Sequence, residues 1–222
     1  MVKLYIVGVG PGSADLVTPR AKEAISRAST VVGWNLDLEP VKGLVVGKKL
    51  FIQSVHNYRS VARAAAEEAR SSGCDVAVLR IGDPCLSSGL KGLLEDFEGF
   101  EVEVIPGVSS IQLAAALAKI ELGDCVVVSF HDFGDLQEKK EFMVYCLRRG
   151  KHVFALSGAE LTVEGAAEYL LSAGFERSTR AVVFTRLGLE GESAEFSTLG
   201  EVASKTHDWL SLLLVYSPQR GG

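Results

Sequence analysis

At 222 residues the chain has room for one large domain or two smaller ones, at roughly 100–200 residues each. Its 47% hydrophobic and 23% charged content is that of a globular protein and excludes a disordered tail or a fibrous repeat. Net charge is −5 with the two signs interspersed, so there is no basic stripe for nucleic acid, and no apolar run reaches the roughly 18–20 residues that a bilayer span requires.

Met1 to Lys3 run directly into a first apolar segment, Leu4 to Val9, which reads as a buried strand; without a signal-like stretch, a cytoplasmic protein is expected. Thr18 then N-caps a helix whose first turn holds Pro19. Val31-Val32 marks a second strand, a helix spans about residues 60 to 70, and strands follow at Val76 to Ile81 and Val102 to Ile105. An alanine-rich helix follows Ser109-Ser110, and the pattern breaks over residues 119 to 124. Beyond it come a strand at Cys125 to Val128, a helix at Leu136 to Arg149, a strand at Val153 to Leu156 and a helix at Thr162 to Ala173. The last two strands are Ala181 to Phe184 and Leu212 to Tyr216. Buried strands alternating with amphipathic helices give an α/β protein, and the break places a domain boundary near residue 122, with α/β halves at 1–122 and 123–222.

The cysteines Cys74, Cys85, Cys125 and Cys146 lie far apart with no C-x-x-C pair, so no disulfide framework is expected; Cys125, in a valine run, reads as a buried thiol. The histidines His56, His131, His152 and His207 have no ligand spacing, and no metal site is expected.

Three motifs stand where strands end. Gly8-Val9-Gly10-Pro11-Gly12-Ser13 resembles a dinucleotide loop but fails as one: Ser13 stands where the third glycine belongs, and Pro11 lacks an N–H that a pyrophosphate cradle would use. There is no G-K-[ST] either. Read alone it could be a ligand-free strand-to-helix turn. Gly82-Asp83-Pro84 follows Arg80-Ile81, and the proline biases Asp83 towards an extended backbone with its carboxylate pointing outward, although Asp-Pro turns are common. Pro106-Gly107-Val108-Ser109-Ser110 offers small hydroxyls, or simply a helix start. Together they supply backbone polar groups, hydroxyls and one carboxylate, which suits a ligand carrying adenosine and an amino acid without phosphate.

The run Gly8 to Thr18, the Gly82-Asp83-Pro84 turn and the Pro106 to Ser110 segment resemble the signature of the tetrapyrrole methylases, in order and spacing over nearly the whole chain. The resemblance implies two αβα domains with S-adenosyl-L-methionine in the cleft between them, and a homodimer. Ser109-Ser110-Ile111-Gln112-Leu113 and Val128-Ser129-Phe130-His131 resemble the subgroup that methylates C5 of a precorrin or cobalt-precorrin ring in cobalamin biosynthesis. Its S-x-H-G-R segment reads here as Ser129-Phe130-His131-Asp132-Phe133, and an aromatic of that subgroup is replaced within Cys85-Leu86-Ser87-Ser88-Gly89. Carried over residue by residue, the resemblance assigns Pro11, Gly82, Asp83, Leu86, Ser109, Ser110, Leu156 and the backbone around Val182 to the cofactor. Gly8, Gly10 and Gly12 face the tetrapyrrole.

Methyl transfer from a sulfonium calls for alignment and exclusion of water more than covalent help, and alignment can be worth ~7–11 kcal/mol. A proton must still be moved. His131 is the first candidate, with Asp83 and His56 behind it. A polycarboxylate substrate calls for basic groups, and His56, Arg80 and Arg186 are the candidate contacts, with Lys48, Lys49 and Arg59 as further clamps. Two alternatives stay open: a relative acting on uroporphyrinogen or on the diphthamide precursor, and a corrinoid carrier without catalysis.

Overall fold

The computed structural model describes residues 2–86, 88–131 and 134–218. Along β1 (Lys3–Gly8) successive side chains alternate sides, so Leu4 and Ile6 enter one core while Tyr5 and Val7 enter another, all at most 2% exposed. A strand buried on both faces belongs in the middle of a parallel sheet. It sits between β4 (Val76–Arg80) and β5 (Glu101–Ile105), and the sheet continues outward from β4 through β2 (Thr30–Gly33) to β3 (Lys49–Ile52). All pairings are parallel.

Helices cover both faces. The first, α1 (Pro19–Arg27), starts as expected: Thr18 Oγ1 accepts the Ala21 N–H at 3.1 Å. Its Ala21, Ala24 and Ile25 pack with Tyr5, Val7 and Leu79. A single turn, α2 (Asn35–Leu38), follows β2. On the opposite face α3 (Tyr58–Ser72) lays Ala62, Ala65, Ala66 and Ala69 against Leu4, Ile6 and Val78, joined by Leu93 of α4 (Leu90–Asp96). Small side chains at helical spacing let α3 lie close to the sheet.

The chain divides into two compact units, Met1–Ser110 and Ile111–Gly222. Residue 122 lies instead in a short turn, Leu122–Asp124, after α5 (Ser110–Ala118) and immediately before the second sheet begins. That sheet holds β6 (Cys125–Ser129), β7 (His152–Leu156), β8 (Arg180–Thr185), β9 (Ser193–Thr198) and β10 (Ser211–Val215), in the order β6-β7-β10-β8-β9. The β6–β7 pair is parallel, whereas β10 runs antiparallel to both β7 and β8. One face packs Val153, Ala155, Val183 and Leu213 against α6 (Leu136–Arg148) and α7 (Val163–Ser172), with α8 (Leu199–Val202) closing the cluster.

The α/β architecture agrees with the sequence reading. Cys125 is a correction: it opens an edge strand and is only half-buried, its Sγ 3.4 Å from the Glu121 carbonyl, while the buried thiol is Cys146 on α6.

Candidate functional site

Because β4, β1 and β5 are neighbours and parallel, the loops following them leave the same edge of the first sheet side by side. They touch through backbone. The Gly82 N–H donates to the Gly10 carbonyl at 2.7 Å, forming an antiparallel bridge. A Cβ on Gly107 would lie 2.3 Å from the Gly82 carbonyl oxygen, and one on Gly8 would lie 2.5 Å from the Gly107 nitrogen. Only glycine permits such approach, and Gly10 and Gly82 also hold φ of +76° and +70°.

Asp83 ties this contact together. Its Oδ1 accepts the Cys85 N–H at 2.7 Å, and Oδ2 accepts the Gly107 N–H at 3.2 Å from across the loops. A carboxylate keeps further lone pairs, so these two bonds do not exhaust it. Pro11 and Ser109 are buried beside the bridge, while Gly12, Leu86 and Ser110 are half-buried. Among the described residues, a Cβ at Gly82 would meet nothing nearer than Ser109 Cα at 3.7 Å, which leaves room on that side of the loop.

Arg80 turns inward rather than outward. It is 8% exposed, with Nη1 donating to Gln53 Oε1 at 2.9 Å and to the Leu79 carbonyl at 2.7 Å, and Nε donating to the Ser88 carbonyl at 3.3 Å. Asp37, 2% exposed, stands 3.8 Å from Nη1 and accepts the Trp34 and Ile81 N–H groups at 2.8 and 2.7 Å. Burial pushes the Asp37 carboxyl above the usual carboxylate range, while Arg80 and the two backbone donors pull the other way. Neither Asp37 nor Gln53 had been singled out from sequence; each is one polar residue whose role comes from contacts across the sheet. His56 is exposed in the connection after β3, on this same edge. The other clamps are already engaged: Lys48 with the Ala28 carbonyl at 2.5 Å, Lys49 with Glu68 at 2.6 Å and Arg59 with Asp96 at 2.8 Å.

In the second unit the ends of β6, β7 and β8 share an edge with the start of β10. The Phe130 N–H donates to the Leu156 carbonyl at 3.0 Å, and Gly158 packs so tightly that a Cβ there would lie 2.2 Å from the Phe130 oxygen. Thr185 Oγ1 and Ser211 Oγ are 2.9 Å apart. His131 is exposed, its backbone N–H donating to Ser129 Oγ at 3.2 Å. Arg186 holds φ of +53°, unusual for a non-glycine residue; its Nε donates to the Glu190 carbonyl at 2.9 Å, and Nη1 lies 3.6 Å from Asp208. Leu156 sits at this edge. Val182 lies mid-strand, fully buried and paired on both sides with Phe196 and Leu214, so the end of β8 that emerges is Thr185-Arg186. Ser87, Asp132 and Phe133 of the motifs lie outside the described residues.

A family profile described as Tetrapyrrole (Corrin/Porphyrin) Methylases matches residues 3–203. The chain is 28% identical over 210 residues to a probable cobalt-precorrin-7 C(5)-methyltransferase of Methanocaldococcus jannaschii, covering 94% of this chain and 95% of that protein. It is 30% identical over 190 residues to a precorrin-6Y C(5,15)-methyltransferase (decarboxylating) of Sinorhizobium, of which it spans 43%. Among solved structures, the precorrin-6Y methylase of Archaeoglobus fulgidus aligns with TM-score 0.75 and 25% identity over 97% of both chains. The uroporphyrin-III C-methyltransferase of Thermus thermophilus, solved with S-adenosylhomocysteine, aligns with TM-score 0.76 and 24% identity over 96% of this chain and 92% of that one; it shares the fold.

Proposed function

Because the chain belongs to the tetrapyrrole methylase family, we propose that it transfers a methyl group from S-adenosyl-L-methionine to C5 of a precorrin or cobalt-precorrin ring. The observation that carries the cofactor assignment is the meeting of the Gly10, Gly82 and Gly107 loops, fastened by the Asp83 carboxylate. The C5 position is supported by full-length similarity to the Methanocaldococcus protein.

The donor set fits the cofactor. Backbone polar groups, the Ser109 and Ser110 hydroxyls and one carboxylate suit a ligand with cationic sulfonium and ammonium groups, and none of the residues 8–13 or 106–110 is a lysine or arginine that would favour a phosphate. S-adenosyl-L-methionine supplies an already activated methyl on its sulfonium. In this reading Pro11, Gly82, Leu86, Ser109 and Ser110 hold and orient that group, and Asp83 offers its remaining lone pairs while keeping the 82–83 backbone in register with Gly107. Gly8, Gly10 and Gly12 shape the loop presented to the tetrapyrrole. His131, at the strand-end edge of the second unit, is the proposed proton acceptor. Arg186 is proposed for a substrate carboxylate, with Nε already donating to the Glu190 carbonyl and Nη1 lying 3.6 Å from Asp208, which the substrate would have to displace.

A single-turnover assay tests this reading. The chain is mixed with methyl-labelled cofactor and a panel of uroporphyrinogen III and precorrins, with and without cobalt, and products are read by mass and carbon NMR. One label at C5 of a corrin is expected. A label at another carbon, or transfer to uroporphyrinogen alone, overturns the C5 assignment. Corrin binding without any cofactor binding would instead indicate a carrier.

A further inference from the structure

We propose that Arg80, together with Asp37 and Gln53, is a positioning group that sets the loop carrying Gly82 and Asp83, and is not a clamp on the substrate. The inference rests on the cofactor reading above. A buried guanidinium is tolerable only when its donors are largely met, and the Nε and Nη1 donors of Arg80, three of its five N–H groups, are met by protein. The pattern of partners is what matters. Ser88, on which Nε ends, closes the loop that Ile81 opens; Ile81 is held by Asp37, and Asp37 lies beside Arg80. One buried cluster therefore grips both ends of the segment that contains Gly82, Asp83 and Leu86.

The cluster also reaches the neighbouring strands. Gln53, just past β3, accepts from Arg80 and donates through Nε2 to the Tyr58 carbonyl at 2.7 Å, while its own N–H bonds the Gly33 carbonyl at the end of β2. From the β4 loop the chain of bonds runs on through Gly82 to Gly10 after β1, and through Asp83 to Gly107 after β5. Every strand end of the first sheet is thus tied into one hydrogen-bonded belt, in which the β4 loop bonds both the β1 and the β5 loop and Arg80 is the charged centre. A planar fork is suited to this task. A lysine at the same place could present only a point charge and could not bond Gln53 and Ser88 in fixed directions.

The test uses Arg80→Lys and Gln53→Leu in the full chain; the second removes one link and keeps the question open to measurement should the first variant not fold. Amide hydrogen exchange of the ligand-free protein is read over residues 81–89, S-adenosylhomocysteine affinity by calorimetry, and the two KM values from steady-state turnover with the labelled cofactor. The expected result is faster exchange confined to 81–89, cofactor affinity weaker by about tenfold, and a tetrapyrrole KM within about twofold of wild type. Unchanged exchange with unchanged cofactor affinity overturns the proposal, as does a rise in tetrapyrrole KM alone, which would mark a direct clamp. If the wild-type chain binds no S-adenosylhomocysteine, the methyltransferase reading fails, and exchange over 81–89 still decides whether the belt holds the loop.

Discussion

At Gly8 and Gly107, which close on the Gly82 carbonyl, one added methyl group has nowhere to go, because the atoms it would strike are backbone and cannot rotate away. Gly107→Ala is therefore expected to destabilise the fold by about 1–3 kcal/mol, the range for overpacking, seen as a lower urea midpoint. Gly123→Ala is the control: a Cβ there meets nothing within 4 Å among the described residues and φ is not in the left-handed range, so it should be neutral or stabilising by up to about 1 kcal/mol. Asp83 makes a second argument of the same kind. Its alanine variant leaves the Gly107 and Cys85 N–H groups without their acceptor and releases the β4 loop from the β5 loop. Cofactor-dependent turnover should fall by roughly 10²-fold, the scale of a small misplacement at a reacting centre. A wild-type rate in Asp83→Ala would remove it from the site.

Helix starts carry a smaller and more local energy. Thr18 and Thr162 each accept the N–H three residues on, at 3.1 and 3.2 Å, so Thr18→Ala and Thr162→Ala should each cost about 1 kcal/mol, and a serine at either position should restore most of it. The Thr18 cap was legible in sequence, as were β1, β4, β7 and β10, because strands buried on both faces are written as continuous apolar runs. Two of the edge strands, β3 and β9, were not. Lys49–Ile52 is short and leaves Leu50 and Ile52 exposed, and Ser193–Thr198 is mostly polar with Phe196 facing outward, so neither carries a buried run to read. The same distinction divides the candidate site. Its glycines and prolines announce unusual backbone in the sequence itself, whereas Asp37 and Gln53 acquire their meaning only from an arginine on another strand. Arg80, expected to contact substrate, lies buried against Gln53 for a reason of the same kind: nothing local distinguishes an arginine that leaves the sheet from one folded back into it.

Acid sensitivity of the folded chain sums opposing contributions, and His152 supplies one that can be isolated. Burial holds its imidazole below the ordinary value of 6.5, with Arg180 and Lys151 pushing the same way and Asp124 opposing. Its Nδ1 accepts the Ser217 N–H at 3.0 Å, which requires the neutral ring and ties the segment beyond β10 to the start of β7. In the window between the lowered value and 6.5, the unfolded chain binds a proton that the folded chain refuses, so stability rises with pH there and is lost as pH falls. Acidification also brings the net charge of −5 towards zero, which eases self-repulsion and favours the compact state. The two effects have opposite signs, and only a comparison separates them. Thermal midpoints followed from about pH 7 down to about pH 5 should fall more for wild type than for His152→Gln, since the variant keeps the bulk charge effect and loses the proton that the folded state excludes. Parallel curves for the two proteins would show that His152 exchanges no proton on unfolding in this range, and that the Ser217 bond is given up on charging without cost to the fold.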